Sequence, residues 1–167
     1  MLTMGLLKSL VTAGTFILLA STVIADNTKI SKTFEIHQAF PNIVHLDIDR
    51  EGASPGDVLA FDADLTSATG LSGKLSGIMF TVRIPDNAIE MFEDRIAHLI
   101  FDFGDSNTLV VTGSAKYPHK GDGQMSENQP QLRAIIGGTG LYMGSRGQVQ
   151  TSRNSDGTYK HLIQLME

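Results

Sequence analysis

The chain has 167 residues, 41% of them hydrophobic, no cysteine, and a formal net charge of −5 with no cluster of Lys or Arg. That length suits one domain, and an acidic chain without a basic patch argues against a nucleic-acid partner. The absence of Cys excludes disulfides, a thiolate nucleophile and a lipid-anchored cysteine, so stability must come from packing.

Residues 1–25 have the layout of a secretory signal peptide. Met1 to Lys8 is short and weakly cationic, Ser9 to Ile24 is apolar, and Val23-Ile24-Ala25 puts compact residues at the junction. Ser9, Thr12, Thr15, Ser21 and Thr22 dilute the apolar core below what a stable membrane span needs. Cleavage after Ala25 is expected. It leaves residues 26–167 as one domain of a secreted or periplasmic protein, with no membrane span. Export without disulfides fits a bacterial periplasm.

Past residue 30 the pattern is strand after strand. Thr33 to Gln38 alternates, with Phe34 and Ile36 on one face and Glu35 and His37 on the other. Ile43 to Asp49 alternates too, setting Val44, Leu46 and Ile48 against His45, Asp47 and Asp49. Gly56 to Leu65 begins after a Ser54-Pro55 turn, and Lys74 to Ile84 stops at Pro85-Asp86-Asn87. Ala88 to Arg95 is the only segment that suits a helical turn. Arg95 to Phe103 is nearly all apolar, Gly104-Asp105-Ser106-Asn107 reads as a hairpin turn, and Thr108 to Gly113 returns. Tyr117 to Pro130 is the one long loop, with almost nothing to bury. Leu132 to Ile136, Gly147 to Arg153 and Thr158 to Leu165 complete a set of strands whose spacing fits a sandwich or a barrel. Residues 78–82 and 99–103 are apolar on both faces. Strands of that kind are covered on both sides, either in a sandwich or in a barrel whose outer face meets a partner subunit, and the barrel option favours a homodimer or homotrimer.

The run from Ile135 to Val149 carries Gly137-Gly138-Thr139-Gly140 and Gly144-Ser145-Arg146-Gly147. Glycines at such a turn supply positive φ. A P-loop would end in Lys-Ser/Thr and lead into a helix, and a dinucleotide site also needs that helix, so these glycines shape backbone and hold no phosphate. His45, His98, His119 and His161 lack ligand spacing, and no Ser sits in a nucleophile-elbow context. No metal and no cofactor is expected.

The glycine run resembles the G-G-T-G…A-R-G signature of plant dirigent proteins and the T-G-G-S-G…G-Q-V run of allene oxide cyclases. Gly56 to Thr66, Phe101 to Asp105 with Leu109 to Gly113, and Phe34-Glu35-Ile36-His37 are similar to further motifs of these families, in the same order. The resemblance implies an all-β fold: an antiparallel eight-stranded barrel, dimeric or trimeric, with a lumen open at one end.

The same resemblance implies a site. Glu35 matches the cyclases' Glu that assists epoxide opening. His37 stands where they have an Asn that helps hold a water, and Ala60 where they have a Pro. Asp62 and Arg146 match the dirigents' pocket Asp and one pocket Arg, while Met143 replaces the other Arg and Gln148 the following Tyr. Glu35, Asp62 and Arg146 are therefore the expected catalytic residues, facing one lumen, with His37, Ala60 and Tyr142 against the ligand. A carboxylate in an apolar lumen has a raised pKa and suits a general acid, while Arg146 would pair with it or bind a developing oxyanion. Because Glu35 and His37 lie on the polar face of their strand, exposure to solvent is the competing reading. Three functions stay open: a cofactor-free cyclase or isomerase acting on an apolar small molecule, a barrel that carries such a ligand without chemistry, and an envelope barrel filled by its own side chains.

Overall fold

The computed structural model describes residues 29–86, 89–119, 121 and 123–167. The signal segment expected at 1–25 lies outside these residues, as do Lys120 and Asp122 of the long loop. Nine strands follow in chain order: β1 (Ile30–Gln38), β2 (Asn42–Leu46), β3 (Val58–Thr66), β4 (Ser72–Arg83), β5 (Phe92–Asp102), β6 (Thr108–Pro118), β7 (Gln131–Gly138), β8 (Gly147–Arg153) and β9 (Tyr159–Met166).

All are antiparallel, in the order β1-β9-β8-β7-β6-β5-β4-β3-β2, and β1 also pairs with β3. Strands β1 and β2 are two halves of one broken stave. β2 pairs with β3 along Val58 to Asp62, and β1 takes over at Leu65 and Thr66. The break falls at Ala39-Phe40-Pro41, where proline has no N–H to give to a ladder. The Ala39 amide still donates to the Asp64 carbonyl at 2.9 Å, so β3 keeps partners on both edges. The result is a closed eight-stranded barrel, as the resemblance implied, in which β1 closes the sheet onto β3.

The alternation of each strand sorts side chains between lumen and exterior. Ile36, Leu65, Leu75, Phe101, Leu109, Val111, Ile135 and Ile163 point inward and are fully buried. Truncating a large member such as Phe101 to Ala would cost about 3–5 kcal/mol. One end of the lumen is closed by rings. Phe34, Phe103 and Tyr142 meet with centroids 5.4–6.5 Å apart, and the Lys32 ammonium lies 5.2 Å from the Phe34 ring centre. The glycine run builds this end. Gly140 takes φ +57° to start a short 3-10 turn, Gly140–Tyr142, that carries Tyr142 inward. Its positive φ leaves the glycines the backbone role expected of them.

Two expectations along the chain are corrected. The region read as a helical turn is strand from Phe92, because Glu93 and Arg95 alternate inward with Ala97, Leu99 and Phe101. The long loop does bury side chains. β6 runs on past Gly113 to Pro118 and takes Tyr117 inward, and beyond it Gln124 and Met125 are buried.

Candidate functional site

Polar side chains in the barrel collect in its other half, above the apolar layer of Ile36, Phe101 and Ile163. Gln38 from β1, Tyr117 from β6, Arg133 from β7, Thr151 from β8 and His161 from β9 line one cavity together with Phe61, Leu75, Met79, Leu99 and Met125. Each polar member shares the inward parity of its strand. His161, for example, alternates with Tyr159, Ile163 and Leu165.

His161 is fully spoken for. Its Nε2 faces the Gln38 Oε1 at 2.9 Å, and its Nδ1 faces the Thr151 hydroxyl at 3.0 Å. Burial first, then the positive charge of Arg133 and the nearby His37, push its pKa down to about 3, so the ring is neutral. A neutral ring has one N–H. The Gln38 oxygen can only accept, so Nε2 carries the proton and Nδ1 accepts from Thr151. The Phe101 ring packs edge-on at 4.9 Å. With proton and lone pair both engaged, His161 orders the lumen and has no capacity left as a base.

Arg133 is the opposite case. It is 3% exposed, yet pairs with no carboxylate among the described residues. Its Nη2 donates to Gln131 Oε1 at 2.9 Å and, more weakly, to the Tyr117 hydroxyl at 3.4 Å. Its Nε is buried without a partner. It packs against Gly113: a Cβ there would stand in van der Waals contact, 3.4 Å from the Arg133 Cα, Cβ and Cγ.

Tyr117 lies between two cations. The Arg95 guanidinium carbon sits 4.8 Å from its ring centre, and Arg133 reaches its oxygen. Burial raises the Tyr117 pKa, more than Arg133 and Arg95 lower it, so the phenol stays protonated and keeps an O–H to donate. Arg95 itself is matched in charge, although its Nη1 is buried without a hydrogen-bond partner. It forms an ion pair with Glu93, with Nε 2.6 Å from Oε1, and both residues are buried. His119 stands 3.4 Å from the other Glu93 oxygen.

The cavity is small. It offers about 30 Å³, room for a water or two, where a pocket for a drug-sized molecule needs about 300 Å³ or more. Gly123 to Met125 close this end. Gly123 lies against Leu59 and His45, Gln124 accepts from Arg153 Nε at 2.9 Å, and Met125 lines the cavity. Met125 takes up lumen space that a larger molecule would need.

The residues expected to form the site stand elsewhere. Glu35 is on the outer face, its side chain 43% exposed, 3.2 Å from His37 Nε2 and 3.5 Å from Lys160 Nζ. Asp62 is exposed on the outside of β3, where Asn42 Nδ2 donates to it at 3.2 Å. Ala60 shares that outer face. Arg146 is exposed just before β8 and donates to the Ile136 carbonyl at 2.6 Å. The structure thus joins Glu35 to His37, but outside the barrel, and does not bring Asp62 and Arg146 into a lumen. The physical reason is parity: Phe34 and Ile36 fill the inward positions of β1, and Phe61 and Ala63 those of β3. Tyr142 does face inward, into the ring cluster at the far end rather than the polar cavity. Among the described residues no group of three His, Asp or Glu side chains could hold a metal ion.

No family model matches the sequence, and no curated protein matches it. Solved structures do match. A pyocyanin demethylase is similar with a TM-score of 0.58 at 20% identity, over 80% of this chain and 98% of that one. A Diels-Alderase from Streptomyces koyangensis matches with 0.57 at 13% identity, over 86% and 71%. A pterocarpan synthase dirigent protein matches with 0.54 at 21% identity, over 83% and 97%. The chain therefore has the allene oxide cyclase/dirigent-like barrel fold. These similarities, all below 25% identity, establish that fold and carry no activity across.

Proposed function

We propose that the chain takes an apolar small molecule into its lumen and holds it in one reactive shape for a cofactor-free cyclisation or isomerisation. The observation that carries this reading is the cavity itself: an apolar barrel whose polar groups gather beneath a short segment that stoppers one end. Bringing reacting atoms together is the larger share of such catalysis. Tyr117 would donate its hydrogen bond, or its proton, to a substrate oxygen. Arg133 would stabilise negative charge that develops there in a site from which water is excluded. The similar folds include a Diels-Alderase and a pterocarpan synthase dirigent protein, which is in keeping with this chemistry.

A second reading is favoured by the 30 Å³ volume: a barrel filled by its own side chains. Titration with N-phenyl-1-naphthylamine, a neutral apolar dye, separates the two. Saturable 1:1 binding that tightens when Met125→Ala thins the stopper supports a ligand site. No saturable binding in either protein supports the filled barrel. A carrier without chemistry would bind and leave the ligand unchanged, so mass analysis of a bound, copurified molecule before and after incubation distinguishes it from an enzyme.

Export and assembly belong to the same proposal. Residues 1–25 would be removed on secretion, with Asp26 as the new N-terminus, which N-terminal sequencing tests. The outer face carries Val44, Phe80, Val82, Ile96, Leu132 and Ile136, all exposed. An apolar band of this kind supports a homodimer or homotrimer. Sedimentation as a monomer at micromolar concentration would contradict it.

A further inference from the structure

We infer that the lumen ligand is a carboxylic acid with an apolar body, and that Arg133 receives its carboxylate. This rests on the reading of the lumen as a ligand site and adds the chemistry of the ligand's head.

The first argument is charge. Three charged side chains are buried around the polar half of the lumen, namely Glu93, Arg95 and Arg133. Glu93 and Arg95 neutralise each other. Among the described residues the charge of Arg133 is left over, and its contacts, Gln131 and Tyr117, are neutral. A lysine at this position could shed its proton. A guanidinium cannot, because its pKa lies above the range a protein interior reaches. The lumen therefore carries a fixed positive charge, and an unpaired charge in such a place is costly.

The second argument is the donor left over. Nε–H of Arg133 is buried with no acceptor, as is Nη1 of Arg95, but Arg95 has Glu93 as its counter-charge and Arg133 has none among the described residues. A water in the cavity would satisfy that donor but not the charge. A carboxylate satisfies both, and guanidinium with carboxylate is the strong, directional pair. The Tyr117 O–H stands beside Arg133 as a further donor to the same head. The walls decide the remainder of the molecule. Phe61, Leu75, Met79 and Leu99 offer no polar group, so an aryl or alkyl body fits them.

The probes are 3-phenylpropanoate and its methyl ester, titrated calorimetrically into the purified chain at pH 7. The ester keeps the shape and removes the charge. The carboxylate should bind at least about tenfold more tightly, the smallest difference expected for a charge-assisted bond. Arg133→Gln should bring the two affinities within about twofold, with most of the loss falling on the acid. Arg133→Lys, which keeps the charge but loses the planar donor set, should retain part of the preference. Equal binding of acid and ester by the parent protein would overturn this inference and leave the lumen as a ligand site. A preference that survives Arg133→Gln would overturn the assignment to Arg133. Binding of neither probe, with no dye binding, would overturn the lumen reading and this inference together. Should Arg133→Gln fail to fold, the acid–ester comparison in the parent and the Lys variant still decide.

Discussion

The guanidinium of Arg133 on β7 reaches the phenol oxygen of Tyr117 on β6 at 3.4 Å, inside a barrel where neither has a carboxylate partner among the described residues. The Arg133 stem crosses the inner surface of β6 at Gly113, where even a Cβ would be in van der Waals contact with it. Arg133 and Tyr117 thus form a donor-rich, acceptor-poor corner in an apolar lumen.

Tyr117→Phe tests that corner with little disturbance. The ring would keep its packing and its contact with Arg95. One long hydrogen bond would go, so stability should fall by no more than about 1 kcal/mol in urea unfolding. Ligand affinity or turnover should fall much further, by about tenfold or more, if the hydroxyl meets the substrate oxygen. An unchanged affinity and rate would assign Tyr117 to packing alone.

Glu93 and Arg133 should respond in opposite ways to losing a charge. Glu93→Gln leaves Arg95 buried beside a neutral amide, which should cost about 3–5 kcal/mol. Arg133→Gln removes a charge that had no counter-ion, and its melting temperature should equal or exceed that of the parent. Thermal melts of the two variants side by side check the contrast.

His161 sets an acid limit on stability. Its folded pKa is depressed to about 3, below the usual 6.5, mainly by burial. Between those values the unfolded chain binds a proton that the folded one refuses, so stability is present above pH 6.5 and declines as pH falls. Its slope approaches about 1.4 kcal/mol per pH unit from this residue. His161→Gln should flatten that part of the pH profile of unfolding, at some cost in stability near pH 7.

Glu35→Gln, Asp62→Asn and Arg146→Leu fall on the outer wall, where charges contribute little. Each should shift stability by about 1 kcal/mol or less and leave lumen affinity within about twofold. A large loss of binding in Asp62→Asn would return the site to the outer face.

Most of the fold was legible because turns and parity are local signals. The Gly104 to Asn107 and Asn154 to Gly157 turns fall where their residue types place them, and β1, β3 and β9 show their inner faces in sequence. Parity in fact spoke against the transferred site: Glu35 alternates with Phe34 and Ile36, and Asp62 falls in step with Asp64. The same signal was available for His161, which falls in step with Tyr159, Ile163 and Leu165. Arg133 was hidden for a different reason. Leu132, Ala134 and Ile136 form the more apolar face of β7, yet they point outward. A barrel with an apolar exterior gives alternation no sign, and only tertiary closure decides which face turns in. Tyr117 was missed because β6 continues through Ser114 and Lys116, whose outward polar side chains read as loop.

The central claim is that the lumen at Arg133 is the ligand site. A crystal structure of the chain soaked with 3-phenylpropanoate tests it most directly. The account predicts the phenyl group among Leu75, Met79 and Leu99, a carboxylate oxygen about 3 Å from Arg133 Nε, and Met125 displaced from the cavity. Density for the acid on the outer face between Val44 and Ile100, with Met125 unmoved, would contradict it.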